Sequence, residues 1–339
     1  MQYTQLGRTG LKVSKLCLGT MNYGPLATEA ESHQQMDKAH DLGINFFDTA
    51  DVYGWKKGEG VTEQIMGRWL AQGGGRRERT VLATKVYGDM DFDDKDITMK
   101  RGLSAVKIRR ACENSLRRLR TDYIDLYQMH HVNRETPWAE IWEAMETLLR
   151  QGKIMYVGSS NFAGWHIAQG IETAKRRQLV GLVSEQTKYS LACRWPELEV
   201  LPACLSYGVG VIPWSPLESG MLAGALEKAD KGRRAQDGVA KRIEKERPRL
   251  QKWEDFCREI GEKPADVALA WMLHNPAITA PIIGPRTMEQ LIASVRAVEV
   301  KLTDEHLKKI DQIWPGPKVD NAEGTADFKK HQAPEAYAW

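Results

Sequence analysis

The sequence predicts an α/β fold, a closed (β/α)8 TIM barrel with parallel strands, on three observations. Eight short apolar runs recur along the 339 residues. They lack clean alternation with polar residues, as expected for strands covered on both faces. Amphipathic helical stretches fill most of the gaps between the runs. The hydrophobic content of 42% is sufficient for a large core, so we expect a single barrel domain over residues 1–339.

The first predicted element is a β-hairpin that caps the barrel, because residues 3–6 and 11–14 flank a glycine-rich turn at 7–10. The eight predicted barrel strands then follow at residues 15–20, 44–48, 81–85, 124–129, 155–159, 182–186, 210–214 and 278–283. Helices are predicted between them at residues 28–42, 62–71, 104–120, 137–150, 164–177 and 196–207. For the fourth of these helices, Thr136 before Pro137 is typical of an N-cap followed by proline at the first helical position.

A doubly wound open sheet is the alternative architecture. Such sheets usually carry a phosphate-binding G-x-G-x-x-G after the first strand. Here the first strand ends in Gly19-Thr20-Met21-Asn22-Tyr23-Gly24, which lacks that spacing. The sequence also contains no Walker-type loop. The closed barrel is therefore the preferred prediction.

Two segments interrupt the strand–helix alternation. Residues 216–247, after the seventh strand, form a long connection rich in charges and glycines, and long loops of this kind are typically lids or disordered. The C-terminal tail, residues 315–339, is polar but carries two late aromatic residues, Tyr337 and Trp339. We expect the tip of this tail to dock on another part of the molecule.

Composition excludes several function classes. A net charge of +3 without a dense basic stripe gives no reason to expect a nucleic-acid partner. Five widely spaced cysteines without a C-x-x-C argue against a disulfide framework or a zinc site. No apolar run approaches membrane-spanning length and no signal-peptide region is evident. We therefore expect a cytoplasmic protein without a membrane partner, and a homo-oligomer is compatible with the sequence but not predicted by it.

Four polar residues lie just after three consecutive predicted strands: Asp48, Tyr53, Lys85 and His130. In a parallel barrel the carboxyl ends of the strands meet at one rim, so these side chains are expected to converge. A free phenol has a pKa of about 10, and a nearby ammonium lowers it by roughly 1–3 units. Lys85 is the candidate ammonium, Asp48 its partner, and His130 a donor to a substrate oxygen. The set predicts proton transfer to a polarised carbonyl.

Each of these residues has a simpler interpretation when taken alone. Asp48 fits a turn signal, Tyr53 a loop aromatic, Lys85 a solvated strand end and His130 a hydrogen-bonded rim histidine. The neighbouring His131 raises the possibility of a metal site, but neither H-x-x-x-H nor H-E-x-x-H occurs, and no metal is expected. The occurrence of all four residues in this order favours a catalytic site.

Several ordered motifs resemble the aldo-keto reductases, and the resemblance extends from Leu6 to about Lys301. The motifs are Phe47-Asp48-Thr49-Ala50-Asp51-Val52-Tyr53-Gly54, Ala83-Thr84-Lys85-Val86, Asp122-Tyr123-Ile124-Asp125-Leu126-Tyr127-Gln128-Met129-His130, Gly158-Ser159-Ser160-Asn161-Phe162, Glu185-Gln186, Trp214-Ser215-Pro216-Leu217, and Ile283-Gly284-Pro285-Arg286-Thr287 with Gln290. The resemblance implies reduction of an aldehyde or ketone to an alcohol by hydride transfer from NADPH, which becomes NADP+. Asp48, Tyr53, Lys85 and His130 would be the catalytic tetrad, with Tyr53 as the general acid.

The resemblance also implies a cofactor site. Its residues would be Gly19, Thr20, Met21, Ser160, Asn161, Gln186, Trp214, Ser215, Pro216, Leu217, Gly220, Arg286, Gln290 and Ser294. Ser160, Asn161 and Gln186 would bind the nicotinamide carboxamide, and Trp214 would stack on its ring. Arg286 can grip the 2′-phosphate through a planar fork of donors. The adenosine end carries Gly284-Pro285-Arg286 and not the Pro-Lys-Ser of many members, which leaves the strength of preference for NADPH over NADH open.

The substrate pocket is expected to be walled by loop residues beyond the first four strands. These are Met21, Tyr23, Trp55, Tyr87 and His131, with Trp339 of the tail as a further candidate. This aromatic wall suits a small-molecule carbonyl substrate with a flat or sugar-like body. Generic aldehydes and a sugar-linked carbonyl fit equally well. His130 favours carbonyl reduction, because the family's steroid double-bond reducers carry Glu there. A cofactor-binding regulatory subunit and a metal-dependent hydrolase are the rival functions.

Overall fold

The structure is a computed structural model that describes residues 1–226 and 237–317. It begins with the predicted hairpin, in which β1 (Tyr3–Gln5) pairs antiparallel with β2 (Lys12–Ser14). Gly7, with a φ of +55°, lies so close to the barrel that a Cβ there would meet the carbonyl oxygens of Val183 and Gly208 at 2.6 Å. The hairpin therefore closes the end of the barrel where the strands begin, which we call the lower end.

Eight parallel strands form the barrel: β3 (Cys17–Gly19), β4 (Phe46–Asp48), β5 (Val81–Val86), β6 (Ile124–Met129), β7 (Ile154–Ser160), β8 (Leu182–Gln186), β9 (Gly210–Val211) and β10 (Ile282–Ile283). They pair in chain order, and β10 pairs with β3. The ring closes between β9 and the chain leading into β10, because the Val211 N–H donates to the Ala277 carbonyl at 3.1 Å. The Thr279 N–H donates back to the Val211 carbonyl at 2.8 Å. The predicted barrel and its hairpin cap are confirmed.

Eleven helices lie in the described ranges, most of them around the barrel: α1 (Glu29–Asp41), α2 (Val61–Leu70), α3 (Ala105–Leu119), α4 (Trp138–Arg150), α5 (Gly164–Arg176), α6 (Val200–Tyr207), α7 (Asp237–Lys245), α8 (Arg247–Glu259), α9 (Pro264–His274), α10 (Met288–Ser294) and α11 (Asp304–Ile313). Two sequence predictions about helices are wrong in detail. Pro137, with a ψ of 141°, is itself the N-cap of α4, so Thr136 is not the cap. The predicted helix 196–207 is broken at Glu199, whose carboxylate accepts from the Trp165 N–H at the start of α5.

Two apolar layers position the site. The inner layer fills the lower half of the barrel and includes Leu6 and Val13 of the hairpin, Phe46 and Leu126 of the strands, and Ile212 directly after β9, all at 0% exposure. The outer layer packs the strands against the helices. All six residues of β5 are buried, as expected for a strand covered on both faces. The strand ends opposite the hairpin, which we call the upper rim, are left for polar groups.

The long connection after β9 is partly helical, since α7 occupies Asp237–Lys245 within the predicted loop 216–247. Residues 227–236 of that loop lie outside the described residues. The same is true of residues 318–339, so the docking of the tail and the place of Trp339 stay predictions. The assignment of residues 1–339 to one domain also stays a prediction.

Candidate active site

The upper rim brings the four predicted catalytic side chains together. Asp48 ends β4, Lys85 lies one residue before the end of β5, and His130 directly follows β6. The Lys85 Nζ donates to Asp48 Oδ2 at 2.6 Å and to Tyr53 Oη at 3.1 Å. It also donates to the Thr49 carbonyl at 2.8 Å. The ring centroids of Tyr53 and His130 are 5.8 Å apart, edge to face. One ammonium therefore connects a carboxylate to a phenol beside an imidazole.

Asp48 is held by more partners than the sequence suggests. Gln128 Nε2 donates to Asp48 Oδ1 at 3.1 Å, and Gln186 Nε2 donates to the same oxygen at 2.8 Å. Gln128 was not among the predicted site residues. A signal existed, because it is a polar residue inside an otherwise apolar strand, two positions before His130. Gln186, predicted to bind a carboxamide, has its amide nitrogen engaged by Asp48.

The electrostatics of Tyr53 and Lys85 differ from the expectation. Burial raises the pKa of Tyr53 above its ordinary value, and the opposing charge of Lys85 does not reverse this. Lys85 does lower this pKa, as predicted, but burial outweighs it and the net shift is upward. Burial would lower the pKa of Lys85, but the charges of Asp48 and Tyr53 outweigh it and raise that pKa. At neutral pH the site thus holds a protonated phenol beside an ammonium.

His130 is a neutral imidazole. Burial, together with the charge of Lys85, holds its pKa well below the ordinary value. Its Nδ1 is buried and has no hydrogen-bond partner in the described part of the chain. A neutral imidazole carries one N–H and one lone pair, so it can donate a hydrogen bond to an oxygen without adding charge to the site.

The predicted substrate wall is partly assembled. The rings of His130 and His131 stack at 4.9 Å between centroids, and Tyr87 meets His131 at 5.2 Å. Trp55 is 63% exposed, and Met21 is 36% exposed. Tyr23 differs from these residues, because it has no exposed surface and belongs to the outer apolar layer. Its ring therefore offers no face to a ligand.

A tight turn follows β7 at the predicted nicotinamide site. Asn161 has a φ of +61°, in the left-handed region. Its Nδ2 donates to the His130 carbonyl at 3.1 Å, and its Oδ1 accepts from the Trp214 Nε1 at 3.0 Å. Ser160 Oγ donates to the Gln186 carbonyl at 2.8 Å. The turn therefore links the ends of β6, β7, β8 and β9 in one hydrogen-bonded group.

The loop after β9 has an unusual backbone. Ser215, Glu218 and Ser219 all have positive φ, at 54°, 48° and 57°, a conformation that costs non-glycine residues energy. Pro216 is buried, whereas Leu217 and Gly220 are partly exposed. The loop is tied down by the buried Glu218 carboxylate, which accepts from Ser190 Oγ at 3.0 Å and Arg242 Nη1 at 2.6 Å. Sequence reasoning did not identify Glu218.

Of the predicted adenosine residues, Arg286 lies between β10 and α10, and Gln290 and Ser294 lie within α10. The Arg286 N–H donates to Gln290 Oε1 at 2.8 Å, and Ser294 Oγ donates to the Gln290 carbonyl at 2.8 Å. The Arg286 guanidinium has no ion-pair partner among residues 1–226 and 237–317. Asn22 Nδ2 donates to the Gly284 carbonyl at 3.0 Å. This bond connects the segment to the loop that follows the first barrel strand.

The start of that loop approaches the tetrad. Thr20 Oγ1 donates to the backbone carbonyl of Asp48 at 2.9 Å. Gly19 is required by close packing, since a Cβ there would lie 2.4 Å from a methyl of Ile282. The residues predicted around the cofactor therefore extend along one side of the upper rim, from Asn161 to Arg286.

Among the described residues, no group of three or more His, Cys, Asp or Glu side chains is arranged to hold a metal ion. No helix of the described part is long and apolar enough to cross a membrane. All five cysteines are buried free thiols.

Comparison with known proteins identifies the family of this chain. The family model described as "Aldo/keto reductase family" matches residues 15–315. The chain belongs to the aldo/keto reductase family.

Three relatives show how the family match extends to whole chains. An uncharacterized oxidoreductase, YrpG, of Bacillus subtilis is 54% identical over the full length of both chains. Versiconal hemiacetal acetate reductase of Aspergillus parasiticus is 34% identical, over 93% of this chain and 97% of its own. A probable voltage-gated potassium channel subunit beta of Oryza sativa is 33% identical, over 92% and 96%.

This aldo/keto reductase is thus an oxidoreductase of a family that uses nicotinamide cofactors to reduce carbonyl compounds. The upper rim fits such a cofactor on two observations. The Arg286 guanidinium lacks an ion-pair partner within the described residues and is available to an anion. The Ser160–Asn161 turn places hydroxyl and amide groups beside His130. These donors and acceptors have the chemistry that a carboxamide requires.

Proposed function

We propose that this protein reduces an aldehyde or a ketone to the alcohol with NADPH, and that Tyr53 is the general acid. The observation that carries the proposal is the pair of hydrogen bonds from Lys85 Nζ, one to Asp48 at 2.6 Å and one to Tyr53 at 3.1 Å. This arrangement supplies a proton on the phenol and a fixed charge beside it. Both are needed where a carbonyl oxygen becomes an alkoxide.

The raised pKa of Tyr53 suits this role. A bound cofactor would supply a hydride to the carbonyl carbon. The carbonyl oxygen would accept hydrogen bonds from the Tyr53 hydroxyl and from the neutral His130 imidazole. An alkoxide is far more basic than a phenolate, so the proton leaves Tyr53 even though burial holds it tightly. Lys85 then stabilises the phenolate, while Asp48 keeps the ammonium in place.

The cofactor residues follow the order of the groups along the rim. Ser160, Asn161 and Gln186 would hold the carboxamide, and Trp214 would stack on the nicotinamide ring. Gly19, Thr20 and Met21 would border the cofactor where it passes the first strand. Ser215, Pro216, Leu217 and Gly220 would lie along the pyrophosphate. Arg286, Gln290 and Ser294 would bind the adenosine 2′-phosphate and adenine, which makes NADPH the proposed cofactor.

The substrate class is a small carbonyl compound with an apolar or flat body. Trp55, Tyr87 and His131 supply the aromatic surface, and Met21 supplies a flexible apolar one. The relative from Aspergillus parasiticus, named a versiconal hemiacetal acetate reductase, supports a reductase function. We also propose a cytoplasmic location, because five buried free thiols suit a reducing compartment.

The experiment is NADPH oxidation with 4-nitrobenzaldehyde and a panel of other carbonyl compounds. Turnover in the wild type, and its loss in Tyr53→Phe, supports the proposal. Tyr3→Phe is the matched control, because Tyr3 is 52% exposed and belongs to the hairpin. The similarity to a potassium channel β-subunit favours a second candidate, a regulatory protein that binds the cofactor. NADPH binding without oxidation of any carbonyl compound would support that candidate.

A further inference from the structure

The buried carboxylate of Glu185 lies behind the turn that follows β7. Glu185 is the residue before Gln186 in β8 and has no exposed surface. Its Oε2 accepts from Ser159 Oγ at 2.5 Å, and its Oε1 accepts from the Phe162 N–H at 3.0 Å. These two donors stand immediately before and after the Ser160–Asn161 pair. The carboxylate thus bridges the two sides of the turn.

The turn is fastened at a further point. Asn161 has a φ of +61°, a left-handed conformation that asparagine adopts more readily than most residues other than glycine. The Asn161 N–H donates to the Gln186 carbonyl at 3.0 Å. Glu185 therefore fixes the two ends of the turn, while the Gln186 carbonyl fixes its middle.

Glu185 has no compensating charge. No Lys, Arg or His in the described ranges forms an ion pair with it, and burial raises its pKa to about 8 against the hydrogen bonds from Ser159 and Phe162. A buried acid without a cation destabilises a fold, and an apolar residue of similar shape would avoid that cost. Glu185 also touches none of the tetrad side chains through a hydrogen bond. The presence of this buried acid is therefore best explained by a role in the turn itself.

We propose that Glu185 is a positioning residue for the nicotinamide end of the cofactor, acting through the shape of the Ser160–Asn161 turn. It orients the Ser160 hydroxyl and the Asn161 amide toward the carboxamide, and through Asn161 it also sets the Trp214 indole. The inference rests on the proposed function, since it names how that same site selects the orientation of the nicotinamide ring.

Glu185→Met tests the proposal, because methionine has a similar shape but accepts no strong hydrogen bond. We expect the Kd of NADPH, measured by fluorescence titration, to rise about 10-fold, the value of one or two lost hydrogen bonds to the buried carboxyl group. The Kd of adenosine 2′,5′-bisphosphate, which lacks the nicotinamide, should change by less than about 2-fold. Glu185→Gln keeps one oxygen for the Phe162 N–H and should restore most of the NADPH affinity.

Glu197→Met is the matched control, because Glu197 is a partly buried glutamate in the connection that follows β8. It contacts Arg194 and Tyr189 and does not contact the turn. It should leave both affinities unchanged. An equal loss of affinity for both ligands in Glu185→Met, or no loss for either, overturns the inference. If Glu185→Met does not fold, Ser159→Ala is measured in its place, with an expected rise of about 3-fold for NADPH alone. No change in Ser159→Ala also overturns it.

The failure of the proposed function is distinguishable from the failure of this inference. A wild-type protein that neither binds nor oxidises NADPH refutes both. A wild-type protein that does both, with Glu185→Met indistinguishable from it, refutes only the role of Glu185.

Discussion

The lower end and the upper rim are opposite ends of the same eight strands, but they are built by different physics. At the lower end the hairpin inserts Leu6 and Val13 beside Phe46, and none of these side chains is exposed. At the upper rim the buried groups are charged, with Lys85 at 0% and Asp48 at 2% exposure. Apolar burial stabilises the lower end without requiring any particular partner, whereas each polar group at the rim needs a specific one.

Backbone strain is present at both ends. The loops above the rim hold Ser215 and Glu218 at positive φ, and Arg120 and Gln178 have positive φ just before β6 and β8, at a cost of about 1–3 kcal/mol each. In the hairpin a positive φ is taken by Gly7, at +55°, which adopts it without a steric penalty. The comparison teaches that the stable, apolar end of the barrel tolerates a charged end. Four experiments test this difference between the two ends.

The largest expected effect is at the rim, on rate alone. Tyr53→Phe removes the only proton of the phenol, and we expect kcat for carbonyl reduction to fall by at least about 10³-fold. The Kd of NADPH and the melting temperature should remain near the wild-type values, because within the described residues the Tyr53 hydroxyl accepts a single hydrogen bond, from Lys85. Steady-state kinetics and thermal unfolding check both parts. Normal turnover in this variant would remove Tyr53 from the acid role.

The second effect is at the lower end, on stability alone. Leu6→Ala leaves a cavity between the hairpin and the strands, and the free energy of unfolding should fall by about 3 kcal/mol. The kcat of the folded protein should be unchanged, since Leu6 lies at the end remote from the tetrad. Leu26→Ala is the control, because Leu26 is 45% exposed. A large loss of kcat in folded Leu6→Ala would show that the two ends are coupled.

The third experiment tests whether Arg286 recognises the 2′-phosphate of the cofactor. Arg286→Ala removes the proposed donor to the 2′-phosphate, and we expect the Kd of NADPH to rise about 100-fold while that of NADH changes by less than about 3-fold. Binding titrations with both cofactors measure this directly. Arg296→Ala is the control, because Arg296 is paired with Glu262 and Glu299. Equal losses for the two cofactors would exclude recognition of the 2′-phosphate by Arg286.

The smallest effect concerns pH and a buried acid behind the rim. Burial, with the carboxylate of Glu63, raises the pKa of Asp51 from 3.8 to about 7. The folded protein therefore binds more protons than the unfolded chain between about pH 4 and 7, and its stability decreases as the pH rises through that window. Above about pH 7 the contribution is constant.

Asp51→Asn should flatten this part of the pH profile by about 2 kcal/mol. Urea unfolding at pH 5 and pH 8 gives the slope, and Asp41→Asn, at an exposed helix end, is the control. An unchanged slope in Asp51→Asn would mean that Asp51 ionises normally in the folded protein.

Hydrophobic patterning in the sequence was enough to predict the order of the barrel strands. The apolar runs predicted β6 and β8 at their observed bounds, Ile124–Met129 and Leu182–Gln186. The predictions 210–214 and 278–283 were too long, since β9 and β10 are only Gly210–Val211 and Ile282–Ile283. There the limits are set by pairing between strands that are distant in sequence.

The pKa shifts and hydrogen bonds of the site, in contrast, depend on the tertiary structure. The sequence brought Tyr53 and Lys85 to one rim, but the direction of the Tyr53 pKa depends on burial by many residues and not on Lys85 alone. Other features of the site also depend on positions that are distant in sequence. They are the hydrogen bonds of Gln128 and Gln186 to Asp48, the hydrogen bond from the Phe162 N–H to Glu185, and the burial of Tyr23. Hydrophobic periodicity is a local property of the chain, whereas burial, charge and hydrogen bonding are sums over neighbours that only folding brings together.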